Sequence, residues 1–231
     1  MKIANNVAML KIEAQIGCIY PTLAWGEGHL VLIDAGFPGQ AELIKEAIAN
    51  EGFRPEDLTE IILTHQDIDH IGCVLEMLQV APAAKVMAHV DEAKYIDGRE
   101  TPIKLAAMLA NYDHLPPEQK AWCENMKDGF ANRHIAINKT LTDGEVLPIC
   151  GGIEVVFTPG HTPGHICLYL RESKVMVGGD ELNIKDGELS GPNPAHTFDE
   201  QQGILSLKKV ETYDISVVVS YHCGLLERRS N

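Results

Sequence analysis

In the segment TEIILTHQDIDHIG, residues 59–72, an apolar run ends in four side chains able to ligate a metal: His65, Asp67, Asp69 and His70. Imidazole nitrogens and carboxylate oxygens both offer lone pairs to divalent ions. On an extended segment alternate residues project to one side, so His65, Asp67 and Asp69 are predicted to converge while His70 turns to an adjacent point. One loop could then feed two neighbouring ions. Taken alone, the pattern fits a solvated turn equally well. Three later features favour metal chemistry. TPGHTPGH (158–165) follows the run GIEVVF, and its prolines and glycines hold His161 on a stiff strand-end turn. KVMVGGDEL places Asp180 directly after another strand, and SVVVSYHCG places His222 after the last. Ligand-type residues that each close an apolar strand can meet along one edge of a sandwich.

The elements that would position them alternate along the chain. HLVLIDAG (29–36) reads as a buried strand, QAELIKEAIANEGF (40–53) as an amphipathic helix stopped at Gly52, and TEIILT as a second strand. GCVLEMLQVAP is predicted helical up to Pro82, and AKVMAH returns as a strand. Between 91 and 130 Ile103, Leu105, Met108, Leu109, Tyr112, Trp122, Met126 and Phe130 recur at helical spacings on either side of Pro116-Pro117, which predicts an inserted helical hairpin. Strands resume with GEVLPI, GIEVVFT, HICLYLR, KVMVGG and ISVVVS, and residues 199–214 form a late helix. Gly-Gly and Pro-Gly corners favour two β-rich halves with outer helices over a doubly wound parallel sheet. The start, MKIANNVAMLKIEAQIG, is read as a first strand rather than a signal peptide.

Composition narrows the function. The chain has 231 residues, 45% hydrophobic and 23% charged, the balance of one soluble α/β domain spanning 1–231. The net charge of −14, with basic residues scattered, would repel a phosphate backbone, so no nucleic-acid partner is expected. No 18-residue apolar run exists, so no membrane span is expected either. Cys18, Cys73, Cys123, Cys150, Cys167 and Cys223 contain no C-x-x-C pair and read as reduced thiols in a cytoplasmic protein. Neither a G-x-S-x-G elbow nor a phosphate-binding G-x-x-x-x-G-K-[ST] loop occurs, which leaves the metal-ligand set to carry any chemistry.

The ordered set H-x-[HD]-x-D-H, T-P-G-H-T-P-G-H, G-G-D and a final His, with VLIDAG upstream, resembles the metallo-β-lactamase superfamily from about residue 16 to 224. The resemblance implies an αββα sandwich with a dinuclear metal centre at one edge of its two sheets. Carried over by position, His65, Asp67 and His161 would bind one ion, Asp69, His70 and His222 the other, and Asp180 would bridge them. A metal-bridging hydroxide would be the nucleophile, with Asp69 as its proton acceptor. Asp67 departs from the family pattern, which has histidine there. Three carboxylates and a hydroxide then neutralise two divalent ions, whereas histidine would leave one positive charge. The harder donor set shifts preference from zinc, the first expectation, toward iron or manganese.

Asp34 is read as orienting a metal-binding loop and His165 as fixing the TPGHTPGH turn. Tyr221 is assigned to packing, because alternation points it away from the site. His29, His89, His114, His134 and His196 are read as surface or core residues, His196 bordering the cleft. The resemblance further implies that the 91–130 insertion lines a pocket for an apolar acyl or ring group. Glyoxalase II is not expected, because there a helical domain for the glutathione thioester follows the last histidine, whereas nine residues follow His222 in this sequence. The expected substrate is therefore a small ester, lactone, thioester or amide. Two alternatives stay open: an iron-dependent oxidoreductase of flavodiiron or persulfide-dioxygenase type, and a non-catalytic metal-binding module.

Overall fold

The computed structural model describes residues 1–14 and 17–228. Its first half contains β1 (Lys2–Ala4), β2 (Val7–Met9), β3 (Ile12–Ala14), β4 (Gly17–Ile19), β5 (Thr22–Gly26), β6 (His29–Ile33), α1 (Ala41–Asn50), β7 (Glu60–Leu63), α2 (Ile68–Ile71), α3 (Val74–Val80) and β8 (Lys85–His89). The insertion holds α4 (Val90–Ile96), α5 (Ile103–Ala110) and α6 (Pro117–Phe130). The second half contains β9 (Lys139–Leu141), β10 (Val146–Leu147), β11 (Ile153–Phe157), β12 (Ile166–Leu170), β13 (Val175–Val177), β14 (Asn183–Lys185), β15 (Glu188–Ser190), α7 (Glu200–Val210), β16 (Val217–Ser220) and β17 (Gly224–Glu227).

Two mixed sheets dominate, ordered β1-β2-β5-β6-β7-β8-β9 and β10-β11-β12-β13-β16-β17. Side-chain alternation assigns each strand's residues to two different apolar layers. Val31, Ile33, Ile62 and Met87 of the first sheet pack with Val155, Leu168, Val177 and Val219 of the second, making the layer between the sheets. The intervening Leu30, Leu32, Ile61, Leu63 and Val86 face outward against Ile44 and Ile48 of α1 and Met77 of α3. On the far side, Val156, Cys167, Met176 and Val218 meet Val210 of α7. The result is the anticipated αββα sandwich. Strands buried on both faces explain why HLVLI, EIIL and VVVS are continuous apolar runs rather than alternating ones.

The insertion has its own small core of Leu105, Cys123 and Met126, with Met108, Tyr112, Leu115 and Phe130 packed against it. Leu105, Met108, Tyr112, Met126 and Phe130 are among the positions whose helical spacing predicted it, whereas Leu109 and Trp122 of that pattern are exposed; Pro116-Pro117 separates α5 from α6 as read. The N-terminal reading needs correction. Residues 2–9 form a hairpin, not one strand, because Asn6 adopts φ 58° and turns the chain so that β1 pairs antiparallel with β2. Asparagine tolerates that left-handed conformation better than most residues. Gln15 and Ile16 of the same stretch lie outside the described residues. Among the described residues no helix is long and apolar enough to cross a membrane.

Candidate metal centre

Strand ends build the site. β6 closes on Asp34 and β7 on Thr64-His65; β11 leads into the 158–165 turn, β13 into Gly178-Gly179-Asp180, and β16 into Tyr221-His222. Parallel pairing of β6 with β7, and of β13 with β16, brings those C-terminal ends to one rim. Gly179, at φ 51°, is required there: a Cβ would lie 2.5 Å from His165 Nε2.

Two groups of donor atoms meet at this rim. His65, Asp67, His161 and Asp180 form one, Asp69, His70 and His222 the other, with all ligand atoms of each group within 4.8 Å of one another. Asp67 Oδ2 lies 3.3 Å from His65 Nε2 and 3.0 Å from His161 Nε2. Asp69 Oδ2 lies 3.2 Å from His222 Nε2. Asp180 stands between the groups, with Oδ1 3.1 Å from His70 Nε2 and 3.2 Å from His222 Nε2, and Oδ2 3.4 Å from His161 Nε2. The structure thus brings together all seven residues singled out from the sequence. Their grouping differs from strand alternation. Residues 68–71 form a helical turn, so Asp69 leaves the side of His65 and Asp67 and joins His70. Asp67 occupies the N-cap position of that turn, where a carboxylate ordinarily caps backbone N–H groups. It makes no capping bond. Its oxygen is committed to the cluster instead.

Partners behind the cluster orient the imidazoles. His70 Nδ1 lies 2.9 Å from Asp34 Oδ2, and Asp34 also accepts from the Thr64 N–H and hydroxyl at 2.9 and 2.8 Å. His65 Nδ1 lies 3.0 Å from Thr64 Oγ1. With Nδ1 held, each ring presents Nε2 to the centre, the arrangement that aims metal-binding histidines. His165 spans two loops, its Nδ1 3.0 Å from Thr158 Oγ1 and its Nε2 accepting from the Asp180 N–H at 3.3 Å. Tyr221 stacks on His70 at 3.8 Å between ring centroids, accepts from the Gly36 N–H and donates to the Asp69 carbonyl at 2.7 Å. It supports the loop from behind.

A metal fits these donors. His65 Nε2, His70 Nε2 and Asp180 Oδ1 are buried without a hydrogen-bond partner, and all three point into the centre. Unpaired buried polar atoms are costly, and a cation would satisfy them. Burial, reinforced by the neighbouring His70, holds the His65 pKa down to about 4, keeping it a neutral donor. At His222 burial opposes the charged form, but the adjacent Asp180 and Asp69 carboxylates outweigh it and raise the pKa to about 10. An ion entering that group displaces a proton.

Four supporting residues escaped the sequence reading. Glu92 of α4, fully buried, accepts from the Gln66 N–H and side-chain amide, the Thr162 hydroxyl and the Gly164 N–H, all within 2.8–2.9 Å, and so ties the 65–70 loop to the 158–165 turn. Gln66 Oε1 in turn accepts from the Ile103 N–H at 2.8 Å and fastens the start of α5. Glu181 accepts from the His161 N–H at 2.8 Å; burial pushes its pKa up to about 7. Lys104 of α5 bonds Asp67 Oδ2 and lies 2.9 Å from His161 Nε2. Only Lys104 left a sequence signal, a charge inside the apolar run IKLAAML.

A cavity of about 810 Å³ opens over the centre, lined by Asp67, Asp69, His161, Asp180 and His222 at its floor and by Ile103, Met108, Trp122, Met126 and Phe198 on its walls. His196 borders it as well. The other histidines lie elsewhere: His89 stacks on Phe157 and His29 pairs with Glu60.

The layered fold and the convergent rim define the class, a metallo-hydrolase. The chain belongs to the metallo-beta-lactamase superfamily, whose family model matches residues 19–222. It is 30% identical over 230 residues to the probable metallo-hydrolase YflN of Bacillus subtilis strain 168, covering 91% of this chain and 82% of that one. It is 28% identical to a hydroxyacylglutathione hydrolase of Xanthomonas campestris pv. campestris over 80% of this chain and 54% of that protein. The crystal structure of a metallo-beta-lactamase family protein from Thermus thermophilus superimposes with a TM-score of 0.76 at 25% identity, covering 96% of this chain and 75% of that one.

Proposed function

We propose that the protein is a dinuclear metal-dependent hydrolase that cleaves a small ester, lactone, thioester or amide. The observation that carries this reading is the pair of donor groups sharing the Asp180 carboxylate, with unpartnered Nε2 atoms aimed between them. His65, Asp67 and His161 would hold one ion and Asp69, His70 and His222 the other, with Asp180 between. Such ions supply Lewis acidity toward a carbonyl oxygen and acidify water. The chain's residues do the remaining work. Asp69 is an ionised carboxylate: burial works against its charge, but His70 and a hydrogen bond to His222 overcome it and hold the pKa below the usual range. It is the proton acceptor for the attacking water. Asp34 and Thr64 keep the imidazoles in register, so little reorganisation is needed when charge develops. The apolar walls of the cavity suit an apolar acyl or ring group. The hydrolase names of the relatives support carbonyl attack. Zinc is the first expectation, with iron or manganese favoured by Asp67. Six free thiols support a cytoplasmic setting.

The test is metal-free protein reloaded separately with zinc, manganese and iron, assayed by elemental analysis and on a panel of chromogenic esters, lactones and thioesters. Expected are close to two ions per chain at saturation and turnover abolished in Asp180→Ala. Absence of turnover on every substrate with all three metals would overturn the reading.

A further inference from the structure

Lys104 stands where an ion would stand. It sits on the first full turn of α5, and its ammonium bonds Asp67 Oδ2 while lying 2.9 Å from His161 Nε2. An ammonium has three donors and no acceptor, so it takes up the same lone pairs that a divalent ion would use. Its placement is built into the fold. The Ile103 N–H, one residue earlier, is held by Gln66, and Gln66 is held by Glu92, so α5 is fastened to the loop that carries His65 and Asp67. Among the described residues that line the cavity, Lys104 is the one lysine or arginine. Its side chain is 31% exposed, against 13% for Asp67, so the stem reaches inward from a solvent-accessible position and can withdraw along the cavity.

Charge makes the pairing specific. A carboxylate at 67 with an ammonium against it is neutral, as an unprotonated imidazole at that position would be. We propose that Lys104 is a tethered cation that competes with the divalent ion for the group formed by His65, Asp67, His161 and Asp180. The group then exists in two states, closed on Lys104 or open to an ion with the lysine released into the cavity. Asp67 and Lys104 operate as one exchangeable unit, and the helical insertion sets metal occupancy at this position. The group of Asp69, His70 and His222, which Lys104 does not touch, fills first.

This inference rests on the dinuclear reading, and zinc titration separates the two. Metal-free wild-type protein, Lys104→Met and Lys104→Arg are titrated with zinc against a chromophoric chelator, with bound zinc counted by elemental analysis. Methionine keeps the apolar stem and removes the charge; arginine keeps the charge. The wild type is expected to bind one zinc tightly and a second more weakly. Lys104→Met tightens the weaker constant by about tenfold, the scale of one charge-assisted hydrogen bond, and leaves the tight one unchanged. Lys104→Arg retains the weak second site. A thermal melt of each variant verifies folding. Equal constants in wild type and Lys104→Met overturn the proposal while leaving the dinuclear centre standing. A second zinc that binds in neither protein overturns both.

Discussion

Removing the Glu92 carboxylate should damage stability and the metal centre together, although Glu92 touches no atom of that centre. Four donors converge on it from two loops, and the Gln66 and Gly164 N–H groups among them are buried backbone donors. In Glu92→Ala both lose their acceptor, at ~1–3 kcal/mol for each stranded group, and the space left by the side chain adds to the loss. The sum is ~3–5 kcal/mol. For a chain of this size each kcal/mol moves Tm by ~2–4 °C, so Glu92→Ala should melt roughly 10 °C lower. Glu92→Gln keeps the shape but turns an amide N–H₂ toward one pair of donors, and should fall between the two. The assay is urea unfolding at constant m together with a thermal scan, followed by zinc affinity at a temperature where all three proteins are folded. Weaker zinc binding by Glu92→Ala is expected, because His65 and His161 sit on the two loops that Glu92 joins. A Glu92→Ala protein melting within ~2 °C of wild type would refute the assignment of those hydrogen bonds as structural.

Glu181 gives the metal-free protein a distinct pH response. Burial raises its pKa from 4.5 to about 7, so its contribution is fully present below pH 4.5 and is lost as pH rises through 7, amounting to ~3 kcal/mol. Glu181→Gln should flatten that part of the stability–pH curve, and an unchanged slope in urea titrations at pH 5 and 8 would count against it. Asp67→His should keep metal binding and move preference toward zinc over manganese, read by competitive loading and elemental analysis; loss of both ions would contradict position 67 as a ligand. Trp122→Ala, which strips one wall of the cavity, should lower kcat/KM for bulky aryl or long-chain acyl esters by ~5-fold, about 1 kcal/mol of lost apolar contact, and leave acetyl esters unaffected.

The seven candidate ligands were legible because His65, Asp180 and His222 closely follow apolar strand runs, and the ordered motifs tie Asp67, Asp69, His70 and His161 to the turns beside those strand ends. The insertion was legible from helical periodicity divided by Pro116-Pro117. The N-terminal hairpin was missed although Asn5-Asn6 is a turn signal, because the apolar residues on either side suggested continuity. Glu92 was illegible: in VDEAKYI it looks like one more charge on a solvated helix, and only the docking of α4 against two loops shows that it faces inward.

By itself the sequence determined the chemistry available, since residue type sets what can donate a lone pair, and it determined the strands, since continuous β-branched and aliphatic runs must be buried on both faces. The resemblance implied how those donors divide, but only the tertiary structure gives the physical cause. The helical turn at 68–71 sends Asp69 away from Asp67, Asp180 falls between the two groups, and Lys104 arrives from 37 residues beyond Asp67. No local rule relates positions so far apart; their meeting is set by parallel strand pairing at one rim and by the Glu92–Gln66 link that seats the insertion.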